Sequence, residues 1–165
     1  MITARQGTEK DIDRIVEIYN TLHPNTFSPA YVLDRVSRKD CVVAVVCEDD
    51  KVMGFGFLEM CVPDPYLVTH FILDPTWKPA EQTAKATALK AMATVWLKYV
   101  VRPPGTTVRR TLPPGSGALI RATIHTIMPF VMVGYDQNGY EIWRAEFPEK
   151  MRQKMLAANL SLLKE

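Results

Sequence analysis

The sequence predicts a single α/β (α+β) domain: a mixed central sheet flanked by helices, with an extra helix at the C-terminus. Three observations predict it. Cys41–Cys47 (CVVAVVC) is apolar and mostly β-branched, the pattern of a strand covered on both faces. Phe71 to Val100 reads as a buried strand, a short loop and a long Ala-rich helix. The segments follow the order β-α-α-β-β-β-α-β-α-β-β-α, which calls for helices on both sides of one sheet.

Each element has a local reason. Ile2 to Arg5 is a short first strand. Thr8 caps a helix with Glu9 and Asp11 in its first turn, where the helix dipole favours negative charge, and Ile12, Ile15, Val16 and Tyr19 form its apolar face. His23-Pro24-Asn25 ends it. Ser28-Pro29 opens a second helix, with Tyr31, Val32, Leu33 and Val36 as its apolar set. Glu48 to Lys51 is a turn, and Val52 to Met60 returns as a strand in which Gly54 and Gly56 imply a bulge or a close backbone approach. After Pro63 and Pro65, Tyr66 to Leu73 is a third core strand. Ala80 to Val100 is the long helix, carrying Ala84, Ala88, Leu89, Met92, Ala93, Trp96 and Tyr99 on one side. Pro103-Pro104-Gly105 stops it before a strand at Thr106 to Leu112. The loop Pro113 to Gly117 (PPGSG) lacks the Lys-Ser/Thr ending of a nucleotide-binding loop and reads as a turn into a helix reaching Met128. Phe130 to Phe147 forms two strands around Asp136 to Gly139, and Pro148 to Leu163 forms a terminal helix with Met151, Met155, Leu156, Leu160 and Leu163.

Composition narrows the function classes. With 47% hydrophobic and 23% charged residues and a formal charge of +2, the 165-residue chain carries no basic excess for nucleic acid or a membrane surface. The basic residues are scattered, and in Arg109-Arg110 adjacent strand positions face opposite sides. Cys41, Cys47 and Cys61 are odd in number and lack zinc-ligand spacing, so no metal site is expected and reduced, structural thiols are. The N-terminus has no charged-then-apolar leader, and no apolar run reaches membrane length. The expected location is cytoplasmic, or within a particle assembled inside a cell.

The element order resembles that of the GNAT superfamily of N-acetyltransferases. Thr8 to Asn20 looks like its first helix, and Val42 to Met60 like its second and third strands. Leu73-Asp74-Pro75-Thr76-Trp77-Lys78 is similar to the superfamily's strand-end motif, and Gly134-Tyr135 to the Gly-Phe pair before its last hairpin. The resemblance spans residues 1–147, as a GNAT-like domain. Residues 148–165 are then an added amphipathic helix, packed on the domain or docking a partner.

The resemblance implies an acetyl-CoA-dependent N-acetyltransferase with acetyl-CoA as cofactor. In the superfamily, a loop with a basic or amide residue and two glycines binds the pyrophosphate at the start of the third helix, where free backbone N–H groups face the anion. The matching residues here are Leu73, Lys78, Ala80, Gln82, Thr83, Ala84 and Lys85. Neither glycine is present, Pro79 has no N–H, and Glu81 adds a carboxylate. The superfamily's tyrosine acid, four residues before the Gly-Phe pair, is matched by Phe130, which leaves Tyr135 as the nearby hydroxyl. His70 is the candidate general base, with Glu59 on the preceding strand as the other. The bland alternatives are a hydrogen-bonded structural histidine and a packing tyrosine. The same applies to His125 in the fourth helix, and His23 reads as solvated. Trp77 lies where substrate or cofactor would pass.

Two functions stay open on these residues. One is acyl transfer to a small-molecule or protein amine entering between split central strands. The other is a non-catalytic GNAT-fold interaction or structural module, such as a component of a virus particle, partnered through the terminal helix or with a second copy of the chain.

Overall fold

A computed structural model describes residues 1–24, 27–61, 66–99, 106–112, 131–147 and 149–164. β1 (Ile2–Gln6) leads through a short 3-10 turn (Glu9–Asp11) into α1 (Ile12–Leu22) and α2 (Pro29–Ser37). β2 (Cys41–Glu48), β3 (Lys51–Cys61) and β4 (Tyr66–Leu73) follow, then α3 (Ala84–Tyr99) and β5 (Thr106–Leu112). The chain continues with β6 (Val131–Tyr135), β7 (Glu141–Phe147), α4 (Glu149–Asn159) and a 3-10 turn (Leu160–Leu162). The expectations for the loop at Pro113, the helix from Gly117 to Met128, His125 and Phe130 lie outside the described residues.

The strands form one sheet in the order β1-β2-β3-β4-β5-β7-β6. Every neighbouring pair is antiparallel except β4 with β5, so the sheet is mixed. Strand alternation splits the core into two layers. Cys41, Val43, Val45 and Cys47 of β2 face α1 and α2, together with Phe55 and Phe57 of β3, Ile15, Ile18 and Val32. Ala44 and Val46 face the opposite way, onto Ala88, Ala91, Met92, Val95 and Trp96 of α3. Phe27, just before α2, stacks on Tyr19 at 3.5 Å and packs against Phe55 and Phe57, which ties the α1–α2 connection down.

Several boundaries differ from the sequence reading, each for a physical reason. Thr8 caps a 3-10 turn: its N–H donates to Asp11 Oδ2 at 2.8 Å, and Arg5 holds both oxygens of that buried carboxylate at 2.8 and 2.9 Å. α3 starts at Ala84, not Ala80, because the chain after Pro79 closes a turn in which the Ala84 N–H donates to Glu81 O at 3.2 Å. α3 is buried at Ala91, Thr94 and Val95 as well as on its expected face, because it lies between the sheet and α4, while Tyr99 stays exposed at its end. The turn from β2 to β3 passes through Asp49 (φ 48°) and Asp50 (φ 68°), the left-handed pair of a tight hairpin turn.

The terminal segment packs on the domain. Arg152 Nε donates to Leu97 O at 2.8 Å, and Met155 and Leu156 rest on the α3-side core. Arg152, Met155, Leu156 and Asn159 form the half-buried stripe of α4 at helical spacing, while Met151 and Leu160 remain exposed. Leu163 then bridges Ala4, the Lys164 N–H donates to Ala4 O at 2.8 Å, and the Lys164 ammonium pairs with Asp50, so the chain's own end covers the β1 edge.

Gly54 marks a close approach. A Cβ there would meet Ile72 O at 2.7 Å and Leu73 Cδ2 at 2.7 Å, beside a β-bulge between Val46 and Cys47. Gly54→Ala is expected to destabilise the fold by about 1–3 kcal/mol through overpacking against backbone. Urea unfolding checks this, and a midpoint equal to wild type would show that β3 and β4 can move apart freely.

Candidate functional site

β4 and β5 diverge. Their parallel pairing holds only at Tyr66↔Thr107 and Leu67↔Val108, whereas β3 pairs with β4 all the way from Cys61↔Tyr66 to Gly54↔Leu73. Among the described residues, the β4 backbone from Val68 to Leu73 has no ladder partner on its β5 side. Crossover through α3 makes this the place where an α/β sheet opens a ligand crevice beyond its strand ends.

The loop from β4 to α3 is pinned at its front. Asp74 follows Leu73 and is buried; its N–H donates to Met53 O at 2.8 Å, and its Oδ1 accepts from the Thr76 N–H at 2.9 Å and hydroxyl at 2.7 Å. With Pro75 presetting the turn, the Trp77 N–H returns to Asp74 O at 3.0 Å. Arg14 of α1 reaches across to Asp74 Oδ2 at 2.5 Å while its Nε donates to Val52 O at 3.0 Å. Trp77, expected at the passage, is instead buried at 4% exposure, with Nε1 donating to Glu48 Oε2 at 2.8 Å. The reason is that the turn folds the indole back under the loop.

The rest of the loop is open. Lys78, Ala80, Glu81, Gln82, Thr83 and Lys85 are exposed, and Ala84 is buried where α3 begins. The Thr87 N–H donates to Thr83 O at 3.0 Å, and among the described residues the N–H groups of Lys85 and Ala86 have no backbone acceptor. Leu73 is half-buried and packs against the α3-side core.

Of the three candidate proton carriers, the register makes His70 and Glu59 diagonal neighbours on adjacent strands, and Tyr135 lies apart from both. His70 stands in the open stretch of β4, opposite Phe57 in the β3 register. Glu59 lies on β3 opposite Val68, on the face shared with Phe55 and Phe57, and its Oε1 pairs with Arg35 Nη1 of α2 at 2.5 Å. Tyr135 is exposed on the edge strand β6, with β7 and β5 between it and β4, a separation of about 14 Å at the usual strand spacing. Burial pushes the Cys41 thiol up to about 12, with the Glu59 carboxylate adding to it, so this thiol is no nucleophile at neutral pH. A cavity of about 400 Å³ lies elsewhere, at the β1 edge among Met1, Asp49, Asp50, Ser161 and Lys164, and its carboxylates are occupied by the N-terminal amine and Lys164. No cluster of three or more metal-ligating side chains occurs among the described residues, and no described helix is long and apolar enough to cross a membrane.

Sequence reasoning missed Arg14, Asp74 and Arg35. Asp-Pro at a strand end is a turn signal that could have pointed to Asp74. Neither arginine has a local signal, since each finds its partner on a distant segment.

No protein-family model matches the sequence, and no curated protein matches it. Solved structures do. A GNAT-family acetyltransferase from Bacillus cereus superposes with a TM-score of 0.67 at 16% identity, over 90% of this chain and 97% of that one. PaiA N-acetyltransferase from Thermoplasma acidophilum, solved with coenzyme A, gives 0.61 at 14% identity, over 89% and 99%. A ribosomal-protein-alanine N-acetyltransferase from Brucella melitensis gives 0.65 at 15% identity, over 87% and 99%. The chain has a GNAT-like fold. Identities this low speak to architecture, so the chemistry must be argued from the residues of the GNAT-like frame themselves.

In that frame Asp74 joins the sheet, α1 and the loop. Burial raises its pKa, but the Thr76 hydroxyl, the Thr76 amide and Arg14 together outweigh it and hold the carboxyl below its ordinary value. A carboxyl depressed in the fold adds stability above its unfolded pKa, and that share is lost as pH falls through the lower folded value. Asp74→Asn is expected to lower Tm at about pH 7, with the gap to wild type closing below about pH 4. Calorimetry across that range checks it; a gap that stays constant with pH would assign the effect to packing.

Proposed function

We propose that the chain is an acyl-CoA-dependent N-acyltransferase with a glycine-free cofactor loop. One observation carries this reading: β4 is paired with β5 at one end alone, and its open stretch leads straight to the start of α3. The GNAT-like fold supports it, as does the coenzyme A complex of the Thermoplasma relative.

The residues fit such a ligand. The free side of β4 offers backbone to an extended arm, and the amides of Lys85 and Ala86 lie at the positive end of the α3 dipole. Exposed Lys78 and Lys85 bring two positive charges for a pyrophosphate. Pro79 removes one donor and Glu81 adds one negative charge, so binding weaker than that of a glycine loop is expected. Acyl-CoA, when bound, supplies the acyl thioester; the chain's own groups must orient the amine and take its proton. An amine reacts only when neutral, and a primary ammonium has a pKa of about 10.4, so a proton acceptor is required. His70, in the open part of β4, and Glu59, one strand away, are the two assigned to that role. Tyr135 is assigned none, because of its distance from the opening.

A second reading, a non-catalytic interaction or structural module, rests on two specific features. Glu81 sits where an anion would bind, and the edge strand β6 leaves Val131, Met132, Val133 and Tyr135 exposed.

Isothermal titration separates the two. Acetyl-CoA is expected to bind the intact protein, and Lys78→Ala to weaken it roughly two- to fivefold, the size of one exposed charge pair. Absence of binding at millimolar acetyl-CoA would overturn the acyltransferase reading in favour of the second.

A further inference from the structure

We propose that the Arg35–Glu59 pair is the acceptor-recognition site, and that the acceptor is a primary amine that also carries a carboxylate. The proposal rests on the acyl-transfer reading above and names its substrate class.

The location follows from the strand register. An arm lying along the open side of β4 cannot pass the paired end at Tyr66↔Thr107 and Leu67↔Val108. Its reactive end therefore stops beside Val68, the first β4 residue beyond that pairing. Val68 is opposite Glu59, so the carboxylate's strand lies one strand spacing, about 4.8 Å, from Val68 and about two spacings from an arm on the far side of β4. Glu59 faces the α1–α2 side of the sheet with a quarter of its side chain accessible (25%), and Arg35 keeps 17%.

The pair is built rather than casual. The Arg35 guanidinium lies over the Tyr31 ring at 4.7 Å, and that ring stands edge-on to Phe57 at 6.3 Å, so the arginine rests on a platform rooted in the core. Nη1 contacts Glu59 Oε1 at 2.5 Å. Arg35 Nε is buried without a hydrogen-bond partner, with Asp34 Oδ2 at 3.8 Å. The guanidinium therefore has Glu59 at one end and the Asp34 carboxylate beyond hydrogen-bond reach of Nε, and its accessible edge suits the carboxylate of a ligand.

Charge then selects the ligand. A plain amine cation drawn to Glu59 also meets Arg35, and repulsion offsets the attraction. A zwitterion places its ammonium against Glu59 and its carboxylate against Arg35, so its own charges are matched as the pair opens, while Asp34 and the Arg38–Asp40 pair beside it stay as they are. The nitrogen then approaches the closed end of the split from across β4, on the α1–α2 side of the sheet.

The test uses matched amines differing by one carboxylate: glycine, L-alanine and L-lysine against methylamine, ethylamine and cadaverine. In the protein without acyl-CoA, the amino acids are expected to shift the Arg35 Nε–H resonance saturably, and the decarboxylated amines to leave it in place. With acetyl-CoA added, release of the CoA thiol should favour the amino acids by at least about tenfold in kcat/KM, the size of one charge-assisted hydrogen bond. Arg35→Met should erase that preference through KM, and Arg35→Lys should restore part of it, with circular dichroism checking that both variants fold. A shift without thiol release supports the zwitterion site and sinks the acyl-transfer reading. No shift with any amino acid, or a preference unchanged in Arg35→Met, overturns the site whatever acetyl-CoA does.

Discussion

Asp74 is the point where three parts of the molecule meet, and the geometry of the opening depends on it. Its amide extends the β3–β4 ladder by one bond to Met53, its carboxylate folds the following turn through Thr76, and Arg14 of α1 reaches it across the sheet. A buried carboxylate costs free energy unless it is paired and hydrogen-bonded, and this one accepts from three donors, the Thr76 amide, the Thr76 hydroxyl and Arg14. Because the Arg14 Nε also holds Val52 O, α1 and the loop share a single anchor. Removing Arg14 would leave the buried Asp74 carboxylate without its counter-charge, the expensive way to break such a pair.

That anchor explains how a chain without loop glycines can still set the start of α3. In a glycine loop the backbone wraps closely around an anion because no Cβ intervenes. Here the first half of the loop is positioned by side chains, with Trp77 turned inward onto Glu48 and Asp74 closing the turn. The second half, Lys78 to Thr83, is left exposed. Any anion held there would meet lysine ammonium groups and the first amides of α3 more than an encircling backbone. The strand-loop-helix frame and the chemistry of its loop are separable, and this chain keeps the frame without the glycines.

The two ion pairs nearest the opening divide the labour differently. Arg14–Asp74 is fully engaged and structural. Arg35–Glu59 is partly accessible, stacked on Tyr31, and leaves guanidinium donors unused. With 17% and 25% of its side chains accessible and its guanidinium over an aromatic ring, this pair is mostly buried yet not closed off.

Much of this was legible in the chain alone. The β-branched run Cys41–Cys47, the Ala-rich stretch ending at Tyr99 and the Asn138-Gly139 turn specify their elements through local periodicity and backbone preference, and the strands fall where those patterns put them. The chemistry of the loop, with Pro79 and Glu81 where glycine would be permissive, is also written in the sequence. What only the tertiary structure decided is who neighbours whom. The insertion of β7 between β5 and β6 moves Tyr135 to an edge, Trp77 is buried by a residue 29 positions earlier, and Arg14 finds Asp74 across 60 positions. Local patterns report which face of an element is apolar; they carry no information about which distant polar group will lie opposite. That pairing is settled only when the sheet closes and each buried charge must find its partner.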